Sequence, residues 1–444
     1  MINLSPELAT ILMFVGIIVG LALGTPVAFI LGGLATIFGF IGWGPQAWYL
    51  FMGRTFDSCT NQILVAIPMF ILMASFLGRS GISEGLFRSM MLMFGPINGA
   101  IGLAVIIMCA VEAACTGIIG ASVVSMTILA MPVMLKHGYD KQMSTGSIAA
   151  GGVLSILIPP SIMLVMMADQ AGVSVGKLFA GAFIPGLILT ALFFTYILVR
   201  TLINPSLGPA LPKEERDLFS GAQRLKMLAA NMVPPLVLML GVLGSIWLGV
   251  ATATEASGVG AFLALMLMII YRKFTWRGFA ECVWGAVRTN CMVMTILFCA
   301  SIFTGVFLGL GGGKVVTDII MAFGFLGKWG MFGIMMFIVF ILGFLIDWIA
   351  IIYITFPIFL PIAQQLGFDK IWFIIMIAIN LQTSFLTPPF GYALFYMKTT
   401  VPPEIKLINI YKGVLPFIVM QIMGLLIAVF FPEVVTYLPS IVIR

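Results

Sequence analysis

The chain has 444 residues, of which 61% are hydrophobic and only 9% charged, a composition that excludes a soluble globular domain and fits a multi-span membrane protein. The net charge of +6 calls for no nucleic-acid partner, because the basic residues sit in short connections between apolar runs, where membrane topology places them. The six cysteines have no Cys-x-x-Cys spacing and read as small buried hydrophobes, and the single histidine, His137, leaves no set for a metal cluster.

The N-terminus lacks a basic n-region and a small-residue cleavage site, so Ile11 to Leu23 reads as a first span and not a removed signal. Spans are predicted over Pro6 to Gly24, over Pro26 to Gly42 and, after a polar connection at 53–61, over Gln62 to Leu77. Arg79, Glu84 and Arg88 mark a return to an interface. Residues 97–135 are almost all apolar, interrupted by Glu112 and by Thr116-Gly117-Ile118-Ile119-Gly120-Ala121-Ser122. At about 1.5 Å per residue a bilayer core takes about 20 residues, so the run fits two spans or one re-entrant hairpin. The small and hydroxyl residues at its middle favour the hairpin.

Next comes an apolar stretch that cannot remain helical, Gly151-Gly152-Val153-Leu154-Ser155-Ile156-Leu157-Ile158-Pro159-Pro160-Ser161. Each proline removes a backbone donor and clashes with the carbonyl four residues earlier. The freed carbonyls cannot face lipid and must be buried in protein or line a wet cavity. Helix ends and carbonyls held at membrane depth are what a cation site needs. Leu178 to Val199 is a further span, and the polar stretch from Arg200 to Lys226 divides the halves as a cytoplasmic linker. Two apolar runs return the chain to a second basic connection at Arg272-Lys273 and Arg277. The second half holds a long span ending at Leu310, a run from Met331 to Leu360 interrupted by Asp347, a second proline pair at Pro388-Pro389, and a closing span from Leu407 to Phe431. About ten to twelve spans plus two re-entrant hairpins are expected.

The proline pairs belong to an internal repeat. Pro388 lies 229 positions after Pro159 (388 − 159), and the same shift carries Pro132 to Pro361, Gly138 to Gly367, Asp140-Lys141 to Asp369-Lys370 and Lys177-Leu178 to Lys406-Leu407. Corresponding broken helices in two halves point to a transporter's binding site.

Several residues are candidates for chemistry. Asp347 is an intramembrane carboxylate far from other charge, serving either a site or a structural hydrogen bond to a helix end. Glu255, in Thr252-Ala253-Thr254-Glu255, reads as a site residue or as helix capping. Glu112 and Asp169 fit interface placement as well as a site, and Ser174 is a further candidate. Ser155, Ser161, Ser384 and Thr387 flank the proline pairs, and Thr116 and Ser122 flank the hairpin tip. Their hydroxyls suit a cation, a carboxylate or freed backbone groups. Gly78-Arg79-Ser80-Gly81 spells a protease GxSG, but its only partner histidine lies in a loop. The glycines before Lys314 lack the Ser/Thr of a phosphate loop.

Three stretches together, Gly152 to Ser161, Gly138-Tyr139-Asp140, and Lys177-Leu178-Phe179 to Ile184-Pro185-Gly186, resemble the large membrane (M) subunit of tripartite ATP-independent periplasmic (TRAP) transporters. Ala66-Ile67-Pro68-Met69-Phe70, Thr254-Glu255-Ala256, Leu386 to Gly391 and Phe431-Pro432-Glu433 extend the likeness over nearly the whole chain. The resemblance implies an all-α polytopic protein of two inverted repeats, with re-entrant hairpins and broken helices, in an elevator-type fold. It implies N-terminal scaffold helices at 1–95, a first transport element at 96–200, a linker with further scaffold helices at 201–330, and a second transport element with the C-terminal helix at 331–444. It implies no enzyme but a secondary transporter of the bacterial inner membrane, driven by Na+ and fed an organic acid anion by a periplasmic substrate-binding protein. A separate small four-helix membrane subunit would brace it. The sodium ligands would come from Thr116, Ile118, Ser155, Ile158 and Pro160 and, in the repeat, from Asp347, Ser384, Thr387 and Pro389. Ser122, Ser161 and Gly391 would touch the solute. The chain departs from the usual Ser-Gly-Ser-Ser hairpin tip and has Ser155 where glycine is common; a site built mainly from carbonyls accommodates both. The tip's Thr-Gly-Ile-Ile-Gly-Ala-Ser form resembles the branch associated with 2-oxo acids and similar carboxylates.

Overall fold

The computed structural model describes residues 4–117 and 119–442; the side chains of 114–116 lie outside that description. Apolar runs with capped ends form helices throughout, and no strand occurs among the described residues. In the first half these are α1 (Pro6–Ala22), α2 (Val27–Trp43), α3 (Ala47–Thr60), α4 (Ala66–Arg79), α5 (Ile82–Phe94), α6 (Ala100–Thr116), α7 (Ile119–Lys136), α8 (Lys141–Val153), α9 (Ile162–Ala171) and α10 (Val175–Ile203). The linker carries the short α11 (Lys213–Arg216). The second half has α12 (Gly221–Trp247), α13 (Ala253–Ile270), α14 (Trp276–Gly309), α15 (Gly312–Ala322), α16 (Gly327–Leu345), α17 (Trp348–Gln365), α18 (Lys370–Leu386), α19 (Tyr392–Thr400), α20 (Leu407–Phe430) and α21 (Glu433–Val442).

The 229-residue shift read from the prolines is obeyed by the helices. It superposes the 18 residues of α7 on the 18 residues of α17, carries α8 onto α18 and α9 onto α19, and carries the first residue of α3, Ala47, onto the first of α14, Trp276. Local causes repeat as well. Asp140 caps α8 by accepting from the Gln142 and Met143 amides, and Asp369 caps α18 by accepting from Trp372. Gly138 and Gly367, at φ 73° and 74°, make the left-handed turn that precedes each of these caps.

The repeats are inverted. Gly99 N donates to Gly208 O (2.7 Å) and Asp140 N to Leu207 O (3.1 Å), so the first hairpin, α6–α7, enters the membrane beside the linker. Tyr139 anchors this end: its hydroxyl accepts from Ile101 N at 3.0 Å, and burial pushes its pKa up to about 12. From the linker the chain then crosses three times, through α12, α13 and α14, before the second hairpin, α16–α17, begins. An odd number of crossings puts that hairpin on the opposite side. Lys136, Arg200, Lys213, Arg216, Arg272, Lys273 and Arg277 gather on the linker side, the asymmetry that the positive-inside rule expects of a cytoplasmic face.

Among the described residues 9 helices are long and apolar enough to span a bilayer, or up to 10 with the bent α4–α5 pair. Three of the nine, α7, α16 and α17, are hairpin arms, while α8–α9 and α18–α19 each divide one crossing between two helices too short to be counted. Among the spans 72% of the α17 window is buried inside the protein against 22% for α12, so α17 lies in the core beside the buried α8, α9 and α18, and α12 meets lipid.

Candidate functional site

The proline pairs break two helices at positions related by the repeat shift. After α8 the chain makes a tight turn at Leu154–Ile156, passes Pro159-Pro160 through a cis bond, and restarts as α9; α18 ends at Leu386, passes Pro388-Pro389 through a cis bond, and restarts as α19. Ser155 Oγ donates to Gly152 O and Ser384 Oγ to Leu381 O, both at 2.8 Å, and all four residues are related by the repeat shift. Ser161 caps α9 and donates its hydroxyl to Ile156 O (2.6 Å). Thr387 Oγ1 donates to Thr383 O (2.7 Å), and the Pro389 carbonyl accepts from the Tyr411 hydroxyl (2.9 Å). Ile158 is buried against Gly186. Gly391 starts α19 where a Cβ would lie 2.5 Å from the Phe385 carbonyl oxygen, so only glycine lets the two backbones approach this closely.

The hairpin tips complete the constellation. Gly117, at φ 59°, closes α6, and α7 starts at Ile119. Thr116 ends α6, its side chain outside the description, and Ile118 lies outside the described residues. In the repeat Asp347 takes the Ile118 position. It caps α17, its Oδ1 accepting from Ile349 N at 3.0 Å, which is the structural use of this carboxylate foreseen from the sequence.

One cavity of about 70 Å³ gathers these ends. Ile119, Ile162, Trp348 and Tyr392 all line it, and they are the first residues of α7, α9, α17 and α19. Four helix N-termini therefore converge on one space, each bringing unpaired backbone donors and a partial positive charge. Asp347 lines the same cavity and supplies the opposing charge. The outer wall is α14, through Thr289, Met292, Val293 and Ile296, with Tyr396 of α19 alongside. Sequence reasoning missed this wall, because α14 reads as an ordinary apolar span; Tyr392 and Tyr396, four residues apart just after the second proline pair, carried a signal that was legible. Of the predicted sodium-site residues Asp347 lines this cavity, whereas Ser155, Ile158, Pro160, Ser384, Thr387 and Pro389 do not. Among the described residues no three His, Cys, Asp or Glu side chains cluster to hold a metal.

Other predicted residues stand elsewhere. Ser122 is buried on α7, and neither it nor the other predicted solute contacts, Ser161 and Gly391, line the cavity. Glu255 forms a capping box with Thr252, accepting from its backbone N and its Oγ1 at 2.8 Å, in the exposed turn that starts α13. Ser174 caps α10 and borders the same surface groove as Glu255. Asp169 accepts from Asn61 Nδ2 at 2.6 Å, and Ser83 donates to Glu112 at 2.8 Å.

The family described as the DctM component of the tripartite ATP-independent periplasmic transporters matches residues 14–434. The C4-dicarboxylate TRAP transporter large permease protein DctM of Vibrio cholerae is 28% identical, with 98% of each chain covered. The isethionate TRAP transporter permease protein DctMQ of Oleidesulfovibrio alaskensis is 30% identical over 93% of this chain and 64% of its own length. The 2,3-diketo-L-gulonate TRAP transporter large permease protein YiaN of Escherichia coli is 26% identical over 96% of this chain and 98% of its own. Among solved structures the YdaH transporter of Alcanivorax borkumensis aligns with a TM-score of 0.64 at 14% identity, covering 96% of this chain and 98% of that one, a likeness of fold alone.

Proposed function

Because the chain belongs to the DctM family of tripartite ATP-independent periplasmic transporters, we propose that it is the large permease subunit of such a system, importing an organic acid anion with sodium across a bacterial inner membrane. The observation that carries the proposal is the convergence of four helix N-termini on one cavity at the paired breaks. Such ends attract a carboxylate, and the relatives named for C4-dicarboxylates, isethionate and diketogulonate put organic anions within the family's range.

Sodium is the coupled cargo. It binds at the two breaks, to the carbonyls freed by the prolines and to the hydroxyls of Ser155, Ser384 and Thr387, with Asp347 in the second half and the Thr116 region in the first. The bound cations add the positive charge that Asp347 withholds, so the anion is held only when sodium is present. Glycine-tight contacts between hairpins and breaks make α6–α10 and α16–α20 one transport body, which moves as an elevator against a scaffold of outer helices. A periplasmic binding protein delivers the solute, and a small four-helix membrane subunit braces the scaffold.

The test is uptake of a panel of small carboxylates, 2-oxo acids included, into proteoliposomes holding the chain with its small partner. Inward sodium gradient and binding protein are each supplied or withheld. Uptake that needs both supports the proposal. Uptake with sodium alone would replace it with a conventional symporter, and no sodium dependence would remove the coupling claim.

A further inference from the structure

Two hydrogen bonds tie outer helices to the hairpin units on the side away from the linker. Asn61, just after α3, donates Nδ2 to Asp169 Oδ1 on α9 at 2.6 Å, and Thr304 of α14 donates its hydroxyl to the Tyr353 carbonyl of α17 at 3.0 Å. Asp169 is held further by Gln170 Nε2 at 3.2 Å. All four tied residues border one polar cleft of about 250 Å³ between outer helices and hairpin units.

The 229-residue shift gives each of the four a counterpart on the linker side. Asn61 maps to Asn290, Asp169 to Lys398, Thr304 to Ser75 and Tyr353 to Val124. The chemistry survives the mapping. An amide answers an amide, a hydroxyl answers a hydroxyl, and the Val124 carbonyl answers the Tyr353 carbonyl. Lys398 replaces an acceptor by a donor, which an amide accommodates through its oxygen. Elsewhere on the cleft Arg54, Asp57 and Ser58 map to the apolar Val283, Ala286 and Val287, while Gln170 maps to Thr399.

Neither counterpart contact is made here. Lys398 Nζ donates to the Ile405 carbonyl (3.2 Å) in an exposed position, and the Ser75 hydroxyl is turned back to Ile71 O (2.9 Å). Asn290 Oδ1 is buried with no hydrogen-bond partner, a state that costs free energy unless another arrangement satisfies it. The cavity at the helix N-termini lies between α14, which carries Asn290, and α19, which carries Lys398.

We propose that these residues form two alternating closures. Asn61–Asp169 and Thr304–Tyr353 seal the far side in the state seen here; Asn290–Lys398 and Ser75–Val124 seal the linker side in the opposite state. The inference rests on the transport reading above. Each closure joins an amide to a charged partner and a hydroxyl to a helix carbonyl, so the two states stay close in free energy, and a modest bias from ligand moves the population. A transporter that alternates needs that balance.

Two double variants in a background lacking the native cysteines test this: N61C/D169C and N290C/K398C, each treated with a short reducible bifunctional thiol reagent in proteoliposomes. Gel filtration confirms that each variant is folded. The N61C/D169C pair is expected to crosslink in the resting protein, and N290C/K398C when sodium and a transported carboxylate are supplied. Either crosslink should cut uptake by about tenfold or more, and reduction should restore it. Adding N290D, which sets a carboxylate against Lys398, should lower the N61C/D169C yield about tenfold. If N290C/K398C never crosslinks while N61C/D169C does, or if N290D leaves that yield unchanged, the paired closures are wrong. Loss of uptake in the parent would instead count against the transport reading, because crosslinking yields are read without it.

Discussion

Ser155 and Ser384, 229 positions apart, make the same hydrogen bond: each hydroxyl donates to the carbonyl three residues earlier at 2.8 Å, and each side chain is fully buried beside a proline pair. The bond occupies the hydroxyl proton and leaves the oxygen lone pairs available to a cation. Ser155→Ala and Ser384→Ala are each predicted to cost only about 1 kcal/mol of stability, the usual net value of such a bond. Each should raise the sodium concentration for half-maximal uptake about tenfold. Sodium titration of initial uptake rates checks this, and an unchanged sodium dependence in both variants would remove the serines from the site.

Asp347 has two jobs that substitution can separate. Asn caps a helix about as well as Asp, whereas Ala removes the cap at a cost of about 1 kcal/mol. Asp347→Asn should therefore keep the thermal stability of the parent in detergent and lose at least about a hundredfold in uptake, the scale of removing a direct charged ligand. Asp347→Ala should lose both. Normal uptake by either variant would show that the carboxylate only holds the hairpin.

The close approach of α16 to α18 depends on Gly343, where a Cβ would collide with the Ser384 hydroxyl. Gly343→Ala should destabilise the protein by about 1–3 kcal/mol and weaken sodium dependence as Ser384→Ala does. Gly241 on α12 has nothing within 4 Å of a would-be Cβ, so Gly241→Ala should be neutral or slightly stabilising. Thermal unfolding of the two variants side by side decides the point, and equal effects would mean that the hairpin is not tightly packed on the break.

The wall of the cavity makes a separate prediction. Thr289 on α14 and Tyr396 on α19 bring hydroxyls to a largely apolar lining. Thr289→Val and Tyr396→Phe should raise the solute concentration for half-maximal uptake about tenfold while leaving the sodium dependence in place. A change in sodium dependence alone would move these residues from the solute to the cation.

The repeat made the architecture legible. Proline pairs, capping aspartates and turn glycines are local features whose effect on the backbone is dictated by covalent chemistry, so Gly138 and Gly367, or Asp140 and Asp369, announce the same structure twice. The inversion of the two halves was expected only from the family resemblance, and the three crossings α12, α13 and α14 between the linker and the second hairpin bear it out. What stayed hidden was which apolar surface faces what. A lipid-facing and a protein-facing leucine are equally apolar, so nothing in α14 marked Thr289 to Ile296 as the cavity wall. Glu255 shows the opposite limit: its Thr-x-Thr-Glu pattern was recognisable as a capping box, which is how the structure uses it.

The central claim is that sodium and an organic anion share the space between the paired breaks. The most direct measurement follows both in the same proteoliposomes: radiolabelled sodium and radiolabelled carboxylate entering together, with binding protein outside and the membrane potential clamped. A fixed ratio of sodium to solute across solute concentrations, with both fluxes lost together in Asp347→Asn, is the predicted result. Solute entry unaccompanied by sodium would contradict the account.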